Sequence, residues 1–184
     1  IELSNQNALL IISARNKKSL DIVKESCKNP KNVWIIPLDL EKDSTFNEIT
    51  QQAVNVFGRI DVLVNNGGIS QRSLATETHI SVDKKIMEVN YVGTIALTKA
   101  LLPHFIENKK GHFAVTTSMV GLIGTPLRSS YAASKHALHG FFDSLRAEVY
   151  DDNIAVTLIC PGFVSTNISM NALTGDGTSQ QKMD

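Results

Sequence analysis

The chain has 184 residues, 42% of them hydrophobic and 20% charged, and its 18 basic and 18 acidic side chains cancel to a net charge of zero. That length is enough for one domain with a substantial core, and a balanced charge without a basic block argues against a nucleic-acid partner. No apolar run approaches the roughly 18 residues that span a bilayer, and no signal peptide is visible, so the chain as it stands reads as soluble.

In chain order, residues 1–6 read as the tail of a helix, and Ala8-Leu9-Leu10-Ile11-Ile12-Ser13 as a short apolar strand of the kind buried on both faces. Residues 17–27 form a charged helix carrying Leu20, Ile22 and Val23 and ended by Asn29-Pro30. Val33-Trp34-Ile35-Ile36 is a second strand, followed by the loop Leu38-Asp39-Leu40. A helix opens at Asp43-Ser44, repeats Phe46, Ile49, Ala53, Val56 and Phe57 at helical spacing, and stops at Gly58. Ile60-Asp61-Val62-Leu63-Val64 is a third strand that runs into Asn65-Asn66-Gly67-Gly68. One long helical region covers residues 81–106, with Gly93 and Pro103 inside it or near its end. Phe113-Ala114-Val115-Thr116-Thr117 is a fourth strand that delivers Ser118. A helix starting at Ser130-Tyr131-Ala132-Ala133-Ser134-Lys135 follows, with a hydroxylated residue to cap it and alanines to propagate it. Ile154-Ala155-Val156-Thr157-Leu158-Ile159 is the fifth strand, and residues 171–184, rich in Gly, Thr, Ser and Gln, read as a mobile loop outside the core.

Apolar strands alternating with helices indicate an α/β fold with a doubly wound parallel sheet. Such folds bind ligands beyond the carboxyl ends of their strands. Arg15, Asp39, Asn65-Asn66-Gly67, Ser118 and Pro161-Gly162 all sit just past a strand end.

Tyr131 and Lys135 are four apart and share a helix face. A phenol titrates near pH ~10, so proton exchange at neutral pH calls for a shift of about three units, or roughly 4 kcal/mol. A lysine cation about 4 Å away, at an effective dielectric of about 20, supplies roughly that amount in favour of the phenolate. Ser118, at a strand end, has a hydroxyl that can hydrogen-bond the oxygen whose proton moves.

Other constellations carry less. Cys27 and Cys160 are far apart and form no Cys-x-x-Cys, which argues against a disulfide framework or a zinc site. His136 and His139 are one turn apart without a third ligand and read as a solvated helix face. Asn167-Ile168-Ser169 fits the glycosylation triplet, a pattern common by chance.

Taken together, these residues resemble the short-chain dehydrogenase/reductase family over nearly the whole chain. Asn65-Asn66-Gly67-Gly68 is similar to the family's Asn-Asn-Ala-Gly, Asn90 to its helix asparagine, Ser118, Tyr131 and Lys135 to its catalytic residues, and the run from Pro161-Gly162 to Val164-Ser165-Thr166 to its nicotinamide turn. Asn66 to Ser73 and Ser134 to Phe142 look most like the member-seven group. The resemblance implies a single Rossmann-like domain over 1–184 that transfers hydride between NADP(H) and a carbonyl or secondary alcohol of a lipid-like or xenobiotic substrate. In it Tyr131 would exchange the proton, Lys135 would lower the Tyr131 pKa and bind the ribose, Ser118 would position the substrate oxygen, and Asn90 would hold a water linking Lys135 to solvent. Cofactor contacts would come from Arg15, Asp39, Leu40, Asn66, Gly67, Tyr131, Lys135, Pro161, Gly162, Val164 and Thr166. Ser13-Ala14-Arg15-Asn16 contains no carboxylate for a ribose 2′-hydroxyl, so NADP(H) is expected, with Arg15 on the 2′-phosphate. Arg72, Leu122, Pro126 and Phe163 are candidates for the substrate pocket.

The resemblance also implies a homo-dimer or tetramer packed through residues 81–106 and 131–150, and association with the endoplasmic reticulum where an N-terminal anchor exists. Two departures stand out: the family's first strand with its glycine-rich turn, and its C-terminal lid and last strand, are not in the chain. Gly68 either replaces the more frequent alanine or shifts the motif by one. A non-catalytic dinucleotide-binding or scaffold protein and an NAD-linked alcohol dehydrogenase are the competing readings.

Overall fold

Local signals set where the elements start and stop. A computed structural model describes residues 1–182; Met183 and Asp184, the end of the expected terminal loop, lie outside the described residues. The chain forms two compact units, one of residues 1–60 and one beginning at Asp61.

In the first unit, α1 (Glu2–Asn5) precedes β1 (Leu10–Ile12), α2 (Lys17–Glu25), β2 (Val33–Ile35) and α3 (Phe46–Phe57). Asn16 starts α2 by accepting the Ser19 amide at 3.1 Å, and Gly58 stops α3 at a left-handed φ of 80° that a side chain would resist. β1 and β2 pair in parallel, with Leu10 opposite Val33 and Ile12 opposite Ile35. The expected burial of the first strand on both faces is not realised: Leu9 is 59% and the neighbouring Trp34 51% exposed. A two-stranded sheet offers too little surface to cover every side chain.

The second unit contains β3 (Val62–Asn65), α4 (Ile80–Met87), α5 (Gly93–Glu107), β4 (Gly111–Thr116), α6 (Ser129–Glu148) and β5 (Ile154–Ile159). Its strands lie in the order β3-β4-β5, all parallel, with Asn65 beside Val115 and Thr116 beside Ile159. All five predicted strands thus form in parallel α/β arrangement, but in two separate ladders instead of one. The predicted helix over 81–106 is broken: residues Glu88–Val92 form a π-turn between α4 and α5, and Asn90 sits inside it. Among the described residues no helix is long and apolar enough to cross a membrane.

Phe105, Phe113, Phe142, Ile86 and Leu138 are fully buried in this unit, and the rings of Phe105 and Phe113 lie 4.8 Å apart. The stretch after 170, expected to be a mobile loop, is ordered by its backbone. Leu173 bridges to Gln71, Ala172 is completely buried, and the Asp176 carboxylate accepts the Thr178 amide at 2.9 Å and the Thr174 hydroxyl at 2.6 Å. Polar composition hid this because the order comes from hydrogen bonds, not from apolar side chains.

Gly111 shows how tightly the core is closed: a Cβ there would lie 2.2 Å from Phe105 Cγ. Gly111→Ala is expected to cost about 1–3 kcal/mol, since the fully buried ring has nowhere to retreat. Urea unfolding with an unchanged midpoint would refute this.

Candidate active site

Beyond β4, Thr117 and Ser118 continue in extended backbone, and the following loop is zipped to the one after β5. The Thr117 amide donates to the Ile159 carbonyl at 2.8 Å and the Met119 amide to the Pro161 carbonyl at 3.0 Å. Ser118 Oγ accepts the Val120 amide at 3.3 Å, capping a single 3-10 turn. That leaves its own proton free to act on the Tyr131 phenol, whose pKa the Ser118 hydroxyl lowers.

Lys135 lies one turn along α6 from Tyr131, as predicted, with Nζ 5.8 Å from the tyrosine ring centroid. The ammonium donates to the Thr116 carbonyl at 2.9 Å, and the residue is only 4% exposed; burial lowers its pKa from 10.5 to about 8. The electrostatic expectation for Tyr131 is corrected: burial raises its pKa above 10.0, and the Ser118 hydrogen bond lowers it only in part. The Lys135 cation beside the ring still favours the phenolate. Loss of water around a phenolate outweighs it.

Asn90 uses its side chain on the scaffold. Its Oδ1 accepts the Ile69 amide at 2.8 Å, and its Nδ2 donates to the Ile69 carbonyl at 2.9 Å and to Ser134 Oγ at 3.0 Å. Ser134 donates in turn to the Tyr131 carbonyl at 2.7 Å, so Asn90 ties the loop after β3 to the turn of α6 that carries the phenol. Both side-chain donors are spent, which leaves Oδ1 and the backbone of the π-turn to meet the water expected from the resemblance. Gly68 belongs to the same arrangement, because a Cβ there would sit 3.2 Å from Asn90 Oδ1 and 3.7 Å from Lys135 Nζ.

Asn66 and Gly67 are exposed between two anchors, the Asn65 to Thr98 hydrogen bond of 3.0 Å and the Asn90 to Ile69 pair. Pro161, Gly162, Val164 and Thr166 occupy the loop after β5. There Phe163 is 90% exposed beneath the Arg128 cation, 5.7 Å from its ring, and Thr166 Oγ1 accepts the Ile168 amide at 3.4 Å. Arg15, Asp39 and Leu40 belong to the first unit, past the ends of β1 and β2. Asp39 accepts the Glu41 amide at 3.3 Å, as a turn-forming aspartate does. The second unit therefore assembles Ser118, Tyr131, Lys135 and Asn90 through hydrogen bonds and ring contact. Ser134 and Gln71, which hold this group, carry no sequence signal: their partners lie 44 and 59 residues away.

His136 is exposed, whereas His139, expected in solvent, is half-buried with Nε2 3.8 Å from Cys160 Sγ. Cys27 and Cys160 are free thiols. Among the described residues no group of three His, Cys, Asp or Glu side chains could hold a metal ion.

Lys135 gives a pH signature. Its folded pKa of about 8 lies below the ordinary 10.5, so the unfolded chain holds the extra proton between those values. The destabilisation is therefore complete below pH ~8 and fades towards pH ~10.5. Lys135→Met is expected to stabilise the fold at pH 7 by about 2 kcal/mol, the desolvation cost less the bond to Thr116. Urea unfolding across this range should show the advantage shrinking steadily above pH 8; an advantage that grows would contradict it.

The chain is similar to known proteins over most of its length. The family model described as short chain dehydrogenase matches residues 1–176. The chain is 44% identical over 183 residues to human dehydrogenase/reductase SDR family member 7, covering 96% of this chain and 54% of that protein. To the mouse member 7B it is 42% identical over 182 residues, covering 96% and 56%. A solved structure of ElxO with NADP bound superposes with a TM-score of 0.83 at 30% identity, over 88% of this chain and 66% of that one. The chain spans about half the length of these curated relatives. With its parallel α/β architecture and its serine, tyrosine and lysine gathered at the strand ends, the chain belongs to the short-chain dehydrogenase family.

Proposed function

We propose that the protein is an NADP(H)-dependent oxidoreductase that interconverts a carbonyl and a secondary alcohol on a lipid-like or xenobiotic substrate. The observation that carries this reading is the buried Lys135 ammonium beside the Tyr131 ring, with the Ser118 hydroxyl acting on the same phenol. When bound, the cofactor supplies or accepts the hydride.

The chain's residues suit that partner. Arg15 follows β1 with no carboxylate in the same turn, which favours a 2′-phosphate over a 2′-hydroxyl. The NADP in the ElxO structure supports the same choice. Gly68 keeps the space beside Asn90 and Lys135 clear, and Asp39, Leu40, Asn66, Gly67, Pro161, Gly162, Val164 and Thr166 are the positions assigned to cofactor contact. The family match runs across both units, which supports one dinucleotide-binding domain.

Burial holds the Tyr131 phenol protonated at neutral pH, the form that gives a proton to a carbonyl oxygen. Ser118 then turns its hydroxyl to that oxygen, and Lys135, with a pKa of about 8, remains mostly cationic at pH 7 to meet the phenolate left behind. Leu122, Ile123 and Phe163 are exposed on the two loops zipped beside Ser118, at 51%, 71% and 90%, and support an apolar substrate.

Two measurements test the reading. Tyr131→Phe is expected to lower kcat by about 10²–10⁴-fold; steady-state turnover near the parent's would end the assignment. Arg15→Ala is expected to weaken NADPH binding roughly tenfold or more, about 1.4 kcal/mol, with NADH little changed. Equal loss for both dinucleotides in a fluorescence titration would count against NADP(H) preference.

A further inference from the structure

The start of α6 lacks a cap of its own. Its N-cap residue, Arg128, provides no side-chain acceptor, and Ser130, whose hydroxyl was expected to cap the helix, instead hydrogen-bonds Asp83. The amide of Ser130 would otherwise be one of the orphan donors of a helix start, next in sequence to Tyr131.

Gln71 fills that position from 59 residues away, its Oε1 accepting the Ser130 amide at 3.0 Å. The side chain is completely buried, and its Nε2 donates to Thr78 Oγ1 at 2.9 Å, with Ser73 Oγ at 3.2 Å. Its orientation is unambiguous, because a backbone amide donates only and must face the oxygen. The residue is itself clamped. Leu173 donates to the Ser70 carbonyl at 2.8 Å and accepts the Arg72 amide at 2.7 Å, so the stretch after 170 pins the backbone on both sides of Gln71. Ser73 completes the hold by donating to the carbonyl of Leu127 at 3.1 Å, and Leu127 has a left-handed φ of 66° that an unconstrained leucine avoids.

We infer that Gln71 is a positioning residue: by capping α6 at Ser130 it fixes where the Tyr131 phenol stands against Ser118. The inference rests on the oxidoreductase reading for its effect on turnover, but its effect on the phenol does not. Freed from this cap, the first turn of α6 frays. The phenol then gains solvent and loses alignment with the serine, while the rest of the helix, packed through Leu138, Phe142 and Leu145, stays in place.

The test uses the full-length protein and three variants. Gln71→Leu removes the acceptor, Gln71→Asn keeps the amide but shortens its reach, and Gln71→Glu keeps an acceptor oxygen at the same distance, with the Ser73 hydroxyl able to turn and donate to its second oxygen. For Gln71→Leu, kcat is expected to fall tenfold or more at nearly unchanged NADPH affinity, and hydrogen exchange at Ser130 and Tyr131 to quicken at least tenfold. By NMR of labelled tyrosine, the Tyr131 titration is expected to move back towards that of a free phenol. Gln71→Glu is expected to restore all three, and Gln71→Asn to reproduce the loss should the leucine variant not fold. A folded variant without the acceptor whose Tyr131 titration and Ser130 exchange match the parent's would overturn the proposal, as would failure of Gln71→Glu to recover what Gln71→Leu loses. A parent that binds NADPH yet reduces no carbonyl tested would refute only the oxidoreductase reading, and the Tyr131 titration would still decide the role of Gln71.

Discussion

A cation kept out of water sets the terms for the second unit. Lys135 is buried, and the loss of hydration around its ammonium lowers its pKa to about 8. Such a group survives in the interior only with an acceptor and close packing, and the carbonyl of Thr116 is that acceptor. The packing needs Gly121, since a Cβ there would fall 3.0 Å from the Lys135 Cβ and 3.3 Å from His139. The end of β4, the turn after Ser118 and the middle of α6 are therefore mutually constrained by one side chain.

The elements around this cation are joined by amides more than by ions. Asn90, buried in its π-turn, and Gln71, buried behind the helix start, each spend a primary amide on backbone groups far away in sequence. A primary amide has both donors and acceptors, so it pairs with peptide groups without bringing a second charge near Lys135. Both hold the segment between β3 and α4, one at Ile69 and one at its own backbone. That segment, not the sheet alone, carries the register between the strand ends and α6. The surface ion pairs, such as Arg146 with Asp143 at 2.5 Å, are exposed and contribute little to it.

Burial also reverses a simple electrostatic argument. Spacing along a helix puts a lysine beside a tyrosine, and Coulomb's law then favours the phenolate. Once both groups leave water, desolvation disfavours each charged form, raising the phenol and lowering the ammonium. The resting state is a neutral phenol facing a serine, with a positive charge in reserve beside the ring.

Chain-local chemistry accounts for what the amino-acid order determined unaided. Apolar runs of strand length located all five strands, Gly58 marked the end of α3, and the four-residue spacing of Tyr131 and Lys135 set them on one face of α6. Tertiary structure alone decided the pairing of strands into two ladders, the break at Asn90, the order of the stretch around Leu173, and the cap that Gln71 gives Ser130. The physical reason is range. Helical periodicity and capping act over a few neighbouring residues and leave a pattern in the sequence, whereas a buried amide chooses a peptide group tens of residues away by shape and hydrogen-bond satisfaction, which leaves none.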